Sequence, residues 1–217
     1  MIVPSMTVEE IHGEVFSDLR DLSTKVDACK KDFERFVLKS NRYPVVKSYR
    51  CQTKRKNIIV ITFTARKRSE RRKPILGFYG IYSRPEGRYA IALTIESNII
   101  TIYPPHFFKR YRERIIKDDL ISNEEIIDTY FKSSWGFTAA VVNDQYESIY
   151  HSFESSDKDD KVSFVAATSQ GYCFGEKQGS VNIIKTIISE EMLFDNQKQI
   201  FSNLKSYFNE IYSDMFE

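Results

Sequence analysis

The sequence predicts an α+β fold in which an antiparallel sheet, or more than one, is flanked by helices. Apolar residues recur at helical spacing near both ends of the chain, and between them segments rich in β-branched and aromatic residues alternate with short turns. Such short connections favour antiparallel neighbours. With 217 residues, 41% of them hydrophobic, and only 8 Gly and 6 Pro, the composition is that of a globular protein and not of a disordered or collagen-like chain.

The first predicted element is a long amphipathic helix that makes up an N-terminal segment, residues 1–41. Thr7 and Glu10 have the spacing of a capping box at its start. Pro44 favours an end near residue 41, because the residue before a proline is pushed out of helical geometry. Apolar residues three or four positions apart form one narrow stripe along this helix: Ile11, Val15, Leu19, Leu22, Val26, Cys29, Phe33 and Phe36.

The remaining residues, 42–217, are predicted to form one α+β domain. It begins with a basic meander over residues 42–103 and continues with helices within residues 106–133, one of them reaching about residue 117. A second group of strands follows over residues 137–188, and an amphipathic C-terminal helix covers residues 196–216. The strands of the meander are expected at about 57–65, 75–83, 88–96 and 98–103.

Charge is distributed unevenly along the chain, although the formal net charge is only +2. Residues 42–117 contain 19 Lys and Arg but four Glu, a formal charge of +15, whereas residues 118–217 carry −11. Aromatic residues are interleaved with the cations of the basic segment, as on surfaces that hold phosphates and stack on bases. An alternative stays open: the basic and acidic blocks neutralise each other within the fold or across a dimer.

A strongly basic run joins the first two strands of the meander and is too charged to be buried, so we expect an exposed loop. We predict that its cations bind nucleic acid, together with Arg112 and with Lys185 on a later strand. The cations of this run are Arg66, Lys67, Arg68, Arg71, Arg72 and Lys73.

The motif with the strongest chemical content follows Pro104 and Pro105. On a helix that begins there, His106, Arg110 and Arg114 lie along one face at four-residue spacing. Glu113 is placed to orient a neighbouring cation. A histidine in the first turn of a helix meets the positive end of the helix dipole, which favours its neutral form near pH 7. The opposite face is apolar and should pack on the sheet: Phe107, Phe108, Tyr111 and Ile115.

These residue types fit the cleavage of RNA without a metal ion. That reaction needs a base for the 2′-hydroxyl proton, cations for the charge on phosphorus, and an acid for the leaving oxygen. His106 can act as base or acid, and the guanidinium groups of Arg110 and Arg114 match a phosphate. Thr186 is a candidate phosphate contact from a later strand, which makes these four the candidate catalytic residues. The alternative is a solvated helix face without a catalytic role.

Residues 57–190 resemble the small metal-independent ribonuclease toxins of the barnase and RelE type, especially phage-associated ones. The resemblance lies in the strand into Pro104-Pro105, the helix His106-x-x-x-Arg110-x-x-x-Arg114, and the later strand with Lys185-Thr186. It implies RNA as substrate and a small antiparallel sheet flanked by helices. It further implies a cleft that contains His106, Arg110, Arg114 and Thr186. The long first helix and the acidic final hundred residues depart from the compact toxin pattern.

No metal site or cofactor is predicted, because His12 and His151 lack metal-ligand spacing to another His or Cys. Cys29, Cys51 and Cys173 are far apart in the sequence and odd in number, which favours reduced, mostly structural thiols over a disulfide framework. No apolar run reaches the ~18 residues that span a bilayer, and no secretory leader pattern is present. We therefore expect a cytoplasmic protein without membrane contact.

Three functional hypotheses follow from the sequence. The leading one is an RNA-binding protein that acts as a metal-independent endoribonuclease of toxin type through the His106 helix. The second is a non-enzymatic module, in which the basic surface holds nucleic acid or an acidic protein and the terminal helices mediate assembly with a partner or a second copy. The third is a structural protein whose opposite charges complement each other between subunits.

Overall fold

The computed structural model describes residues 1–134, 136–154 and 161–213. In this part of the chain it contains six α-helices and nine β-strands, which confirms the α+β class. The chain divides into two compact units, residues 1–100 and residues 101–217. The first unit therefore ends within the strand Ile99–Tyr103.

The first unit consists of two helices followed by an antiparallel meander. Successive strands pair antiparallel from β1 to β4, with Val45 opposite Ala65 at one end of the β1–β2 ladder. A short 3₁₀ helix, Arg68–Arg72, lies in the connection from β2 to β3. The elements are α1 (Val8–Leu19), α2 (Ser23–Lys39), β1 (Val45–Gln52), β2 (Ile58–Ala65), β3 (Ile75–Arg84) and β4 (Gly87–Thr94), after which β5 (Ile99–Tyr103) spans the boundary.

The single long N-terminal helix predicted from the sequence is wrong, because the structure has two helices there. Between them the Leu22 N–H bonds to the Leu19 carbonyl, three residues back, at 3.1 Å. Asp18 is fully buried near the end of α1 and accepts hydrogen bonds from Thr53 Oγ1 at 2.8 Å and from Asn57 Nδ2 at 2.5 Å. These bonds fix α1 to the turn between β1 and β2. The apolar stripe continues through the break, so its spacing does not reveal it.

The core of the first unit lies between α2 and the strands. Phe33 of α2 stacks on Phe63 of β2, with 5.4 Å between ring centroids. The predicted apolar stripe includes Phe36, but Phe36 is 43% exposed and the next residue, Val37, is fully buried. The buried face of α2 therefore differs from the predicted one by one residue near the end of the helix. The capping box at Thr7 and Glu10 is confirmed. Strand β1 was not predicted, because its mixed polar and apolar residues carry no clear alternation.

In its described residues the second unit contains four strands and four α-helices beyond β5. Its strand order is β5-β9-β8-β7-β6, and the β6–β7, β7–β8 and β8–β9 pairs are antiparallel. The predicted end of the C-terminal helix at residue 216 lies outside the described residues. The elements are α3 (Pro105–Tyr111), α4 (Asn123–Ser133), β6 (Phe137–Val141), α5 (Asp144–Phe153), β7 (Val162–Thr168), β8 (Gly171–Gln178), β9 (Val181–Ile188) and α6 (Asp195–Tyr212).

Two hydrophobic clusters hold this unit together. Helices α5 and α6 pack on the sheet, with Tyr172 of β8 and Phe201 of α6 at a centroid distance of 4.6 Å. Helices α3 and α4 share a group of buried rings, which confirms the predicted apolar face of α3. This group contains Tyr103, Phe107, Phe108, Tyr111 and Tyr130. Among the described helices, none is long and apolar enough to cross a bilayer.

Candidate active site

Helix α3 packs against β9 and brings the predicted catalytic residues together within the second unit. Arg114 Nη1 donates hydrogen bonds of 3.1 Å to Thr186 Oγ1 and 3.1 Å to the Ile187 carbonyl. The Lys185 backbone and the charge of Arg110 both act on the His106 imidazole, and the charge of Arg110 also acts on Arg114. The four residues chosen from the sequence therefore belong to one cluster.

The backbone after α3 widens into a π-helical turn, Arg112–Ile116, where the sequence predicts regular helix to residue 117. The turn closes with a 2.7 Å hydrogen bond from the Lys117 N–H to the Arg112 carbonyl, five residues back. Lys117 ends it in the left-handed conformation, at φ 55°. Such wide turns are frequent at functional sites. This one carries Arg114 toward β9, while the Arg112 side chain donates to Asn123 Oδ1 at 2.7 Å at the start of α4 and does not join the cluster.

The two arginines differ in their surroundings. Arg110 is 47% exposed, and its Nη1 lies 3.1 Å from Glu113 Oε2, so Glu113 orients this cation as predicted. Arg114 is half-buried, and desolvation lowers the pKa of its guanidinium. Within the described residues, Nε and Nη2 of Arg114 have no hydrogen-bond partner, and neither arginine forms an ion pair with a carboxylate of residues 118–217. The cluster thus has donors available for a phosphate.

His106 is an exposed residue whose imidazole is nevertheless partly desolvated. Desolvation is the main cause that lowers the pKa of His106 below its ordinary value, and the positive charges of Arg110 and Lys185 add to it. The hydrogen bond to the Lys185 backbone opposes this shift without cancelling it. The neutral form is therefore favoured near pH 7, as the sequence predicts, but burial and cations cause it and not the helix dipole alone.

A carboxylate that the sequence analysis missed faces the same cations. Glu154 follows the last turn of α5, where its N–H donates to the Tyr150 carbonyl at 2.8 Å. Its side chain is half-buried, and desolvation raises the pKa of Glu154 above its ordinary value. Lys185, Arg110 and Arg114 oppose that rise, which places all three cations within electrostatic reach of Glu154.

Helix α5 holds Glu154 in place through contacts with β8. The Tyr150 hydroxyl donates a buried 3.2 Å hydrogen bond to the Gly175 carbonyl. The rings of Phe153 and Phe174 lie 5.3 Å apart, centroid to centroid. Both contacts come from the residues just before Glu154, so they fix the end of the helix against the strand.

Lys185 reaches the cluster through a β-bulge. Phe174 pairs with Thr186 and Gly175 with Ile184, so Lys185 is the extra residue of β9. A bulge re-aims the side chain at that position. Here the Lys185 ammonium lies 2.6 Å from Oε1 of Glu176, which is only 2% exposed.

Gly175 is required opposite this bulge. A Cβ atom there would lie 2.4 Å from the Ile183 carbonyl oxygen and 2.7 Å from the Phe164 ring. No real Cβ tolerates such an approach to backbone. The absence of a side chain at residue 175 therefore permits the strand geometry that presents Lys185.

The basic run after β2 lies in the first unit and is only partly free. Arg66 pairs with Glu70, and Arg66 Nη2 lies 2.8 Å from Glu70 Oε1. Both side chains are at least half-buried. Arg71 is half-buried as well. The exposed cations are Lys67, Arg68, Arg72 and Lys73.

Some of the charge in the basic segment is neutralised by acidic residues. Lys47 lies 2.7 Å from Asp32 of α2, and Arg55 lies 2.6 Å from Glu14 of α1. Lys117 pairs with Glu191 at 3.2 Å and so links the basic segment to the acidic C-terminal block. These three ion pairs, which lie outside the His106 cluster, therefore neutralise part of the positive charge of the basic segment.

Comparison with protein-family models, with curated proteins and with solved structures found no match for this chain. The chemistry of the cluster is therefore inferred from its own residues. Across the described ranges, no three His, Cys, Asp or Glu side chains are grouped as metal ligands.

Proposed function

We propose that the protein binds RNA and cleaves its phosphodiester bonds without a metal ion, with His106 and Glu154 as the proton-transferring groups. One observation carries the proposal. Helix α3 packs on β9, and Arg114 is hydrogen-bonded to Thr186 there, while the charges of Arg110 and Lys185 act on both His106, whose pKa is lowered, and Glu154, whose pKa is raised. Titratable groups whose pKa values are shifted in this way are typical of acid–base catalysis.

The reaction follows from the chemistry of RNA. The 2′-hydroxyl oxygen attacks the adjacent phosphorus while one of the two groups, deprotonated, takes its proton. The other group, protonated, gives a proton to the departing 5′ oxygen. The upstream fragment then ends in a 2′,3′-cyclic phosphate. Arg110 and Arg114 stabilise the negative charge that builds on the phosphate oxygens in the transition state.

Lys185 and Glu176 have a supporting role in this scheme. Because Glu176 is buried against Lys185, it holds the ammonium group in one position beside the proton-transferring groups. A preorganised cation stabilises developing charge without the cost of reorganisation. Thr186 likewise holds the Arg114 guanidinium in position, because its hydroxyl oxygen accepts a hydrogen bond from Arg114.

RNA binding without cleavage is the second candidate function, and the exposed cations after β2 favour it. Lys67, Arg68, Arg72 and Lys73 are solvent-exposed and lie within seven consecutive residues. Such a run contacts phosphates without positioning a reacting group. The resemblance to ribonuclease toxins supports RNA as the ligand in either case.

The two functions are separated by incubating the purified full chain with end-labelled RNA in EDTA. We expect cleavage by the wild type and a loss of about 10²-fold or more in His106→Ala, the usual contribution of a general acid or base. His151→Ala is the matched control, because His151 is an exposed histidine of α5 outside the cluster. Equal rates in His106→Ala and wild type, or cleavage only with added magnesium, would remove the catalytic proposal and leave RNA binding.

A further inference from the structure

Helix α2 lies along strand β1 and is held there by two sets of polar contacts. At one end, Lys25 Nζ donates a hydrogen bond to the Gln52 carbonyl. At the other, Asp32 Oδ2 accepts hydrogen bonds of 2.7 Å from the Tyr49 hydroxyl and 2.7 Å from Lys47 Nζ. Asp32 comes after Lys25 in the helix, but its partners Lys47 and Tyr49 come before Gln52 in the strand. Helix α2 and strand β1 therefore run in opposite directions.

This geometry places Cys29 opposite Cys51. Lys25 and Asp32 are about 10 Å apart along a helix, and Tyr49 and Gln52 are about 10 Å apart along a strand. Cys29, about 6 Å beyond Lys25 on the helix axis, is therefore level with strand positions 50 and 51. It shares one helix face with Lys25 and Asp32, and Cys51 shares one strand face with Tyr49.

Independent contacts agree with this placement. Both cysteines pack against the cluster of buried side chains around Phe33 and Phe63. After desolvation, the largest cause that raises the pKa of Cys29 is the charge of the Cys51 thiolate, as expected of two thiol groups that lie near each other. Both cysteines are half-buried and reduced, whereas Cys173 in the second unit is buried.

We propose that Cys29 and Cys51 are a redox-active thiol pair that closes a reversible disulfide between α2 and β1. The oxidant is a low-molecular-weight disulfide. One cysteine thiolate attacks a sulfur of that disulfide and releases one small thiol. The second cysteine then attacks the mixed disulfide and releases the other small thiol. Two electrons pass to the small disulfide, and the two cysteine protons end on the released thiols.

The disulfide would covalently reinforce a contact that is already made. It encloses the α2–β1 connection, from residue 29 to residue 51, and so restricts the unfolded chain. We expect the oxidised protein to unfold at a temperature about 5 °C higher than the reduced protein. The pair lies in the first unit, and the proposal does not depend on the proposed RNA chemistry.

The test uses the full chain and oxidised glutathione as the probe. After incubation, free thiols are alkylated under denaturing conditions, and the protein is analysed by intact mass and by peptide mapping. The expected product has one alkylated cysteine, Cys173, and a peptide pair joined through Cys29 and Cys51, which dithiothreitol separates. Cys29→Ser is expected to stop at a glutathione adduct on Cys51, because the second thiol is missing. Cys173→Ser is the control and should form the same cross-link as the wild type.

Several outcomes would overturn the proposal. One is a wild type in which glutathione adducts persist on both Cys29 and Cys51, because the thiols then fail to react with each other. Another is a cross-link that includes Cys173. A third is a wild type that keeps three alkylated cysteines while Cys29→Ser acquires the adduct on Cys51 under the same conditions.

Discussion

Arg114 Nη1 donates a 3.1 Å hydrogen bond to Thr186 Oγ1, and the two residues are 72 positions apart in the chain. The same nitrogen donates to the Ile187 carbonyl, so strand β9 determines the direction of the guanidinium plane. A guanidinium held through one nitrogen keeps its other donors available for a phosphate. The sequence shows only that Arg114 lies on the polar face of a helix. Its contact with β9 makes it a candidate phosphate-binding residue.

Replacing Arg114 should lower the rate of RNA cleavage more than replacing Thr186. Arg114→Lys keeps the charge but loses the planar fork, and we expect a decrease of about 10²-fold, in the range found when one transition-state donor is removed. Thr186→Val removes only one acceptor, since the Ile187 carbonyl still holds the guanidinium, and should cost about 10-fold or less. Single-turnover rates in EDTA measure both. A larger loss in Thr186→Val than in Arg114→Lys would contradict the assigned roles.

The dependence of cleavage on pH should be a narrow bell. Cleavage needs one group of the His106–Glu154 pair protonated and the other deprotonated. The pKa of Glu154 is raised and that of His106 is lowered, so the two pKa values lie closer together than in free side chains and the bell should be narrow. It falls in acid as Glu154 becomes protonated and falls toward neutral pH as His106 loses its proton. Exchanging which group acts as acid gives the same bell.

Glu154→Gln tests the origin of the acidic limb. The amide cannot titrate, so we expect a lower rate whose pH dependence retains only the titration of His106. The measurement is the logarithm of kcat/KM for RNA cleavage from pH 4 to pH 9. Glu147→Gln, at an exposed glutamate of the same helix, is the control and should keep both limbs. An acidic limb that survives in Glu154→Gln would exclude Glu154 from proton transfer.

The buried ion pair should matter for stability and for activity in separable ways. Glu176→Leu leaves the Lys185 ammonium buried without its carboxylate, and we expect a loss of about 3 kcal/mol in the free energy of unfolding. The double variant Glu176→Leu/Lys185→Met removes both charges and should recover most of that loss, because well-packed apolar residues replace such pairs at little cost. Urea denaturation measures these differences.

Cleavage should not recover in the double variant. Its structure is expected to be restored, but the cation beside His106 and Glu154 is gone. A double variant as active as the wild type would show that the Glu176–Lys185 pair supports the fold alone. A single variant as stable as the wild type would contradict the burial of the pair.

The exposed basic run should contribute to binding and to its salt dependence. Arg68→Glu/Lys73→Glu reverses two exposed cations after β2, and we expect weaker RNA binding with a shallower dependence of log Kd on log salt. Lys31→Glu/Lys39→Glu makes the same charge change at exposed positions of α2 and serves as the matched control. Fluorescence anisotropy with labelled single-stranded RNA at several salt concentrations measures both. Equal effects of the two double variants would indicate nonspecific attraction by net charge.

The sequence predicted those parts of the site that depend on local periodicity. The four-residue spacing of His106, Arg110 and Arg114, opposite a run of aromatic residues, determines one polar and one apolar helix face whatever the fold. The structure buries the aromatic face, as predicted. Thr186 was chosen without any local signal that connects it to that helix, and only the packing of α3 on β9 shows the contact.

The missing parts depend on tertiary structure. Glu154 follows a short polar helix that the sequence pattern did not indicate, and desolvation in the folded protein raises its pKa against the opposing charges of three cations that are distant in the sequence. Glu176 meets Lys185 only because a bulge shifts the register of β9 by one residue, and a periodicity of two cannot anticipate that shift. The break between α1 and α2 was missed for a related reason. Buried hydrogen bonds from residues 53 and 57 hold Asp18 near the end of α1, and local periodicity does not reveal them.

The most direct test of the central claim is cleavage of a DNA strand that contains one ribonucleotide, in EDTA, by the full chain. If a 2′-hydroxyl is the nucleophile and His106 and Glu154 transfer the protons, the strand is cut only after the ribonucleotide. The upstream fragment then ends in a 2′,3′-cyclic phosphate, and the double variant His106→Ala/Glu154→Gln leaves the strand intact. Cleavage of an all-DNA strand at the same rate, or an upstream fragment with a free 3′-hydroxyl, would contradict the mechanism.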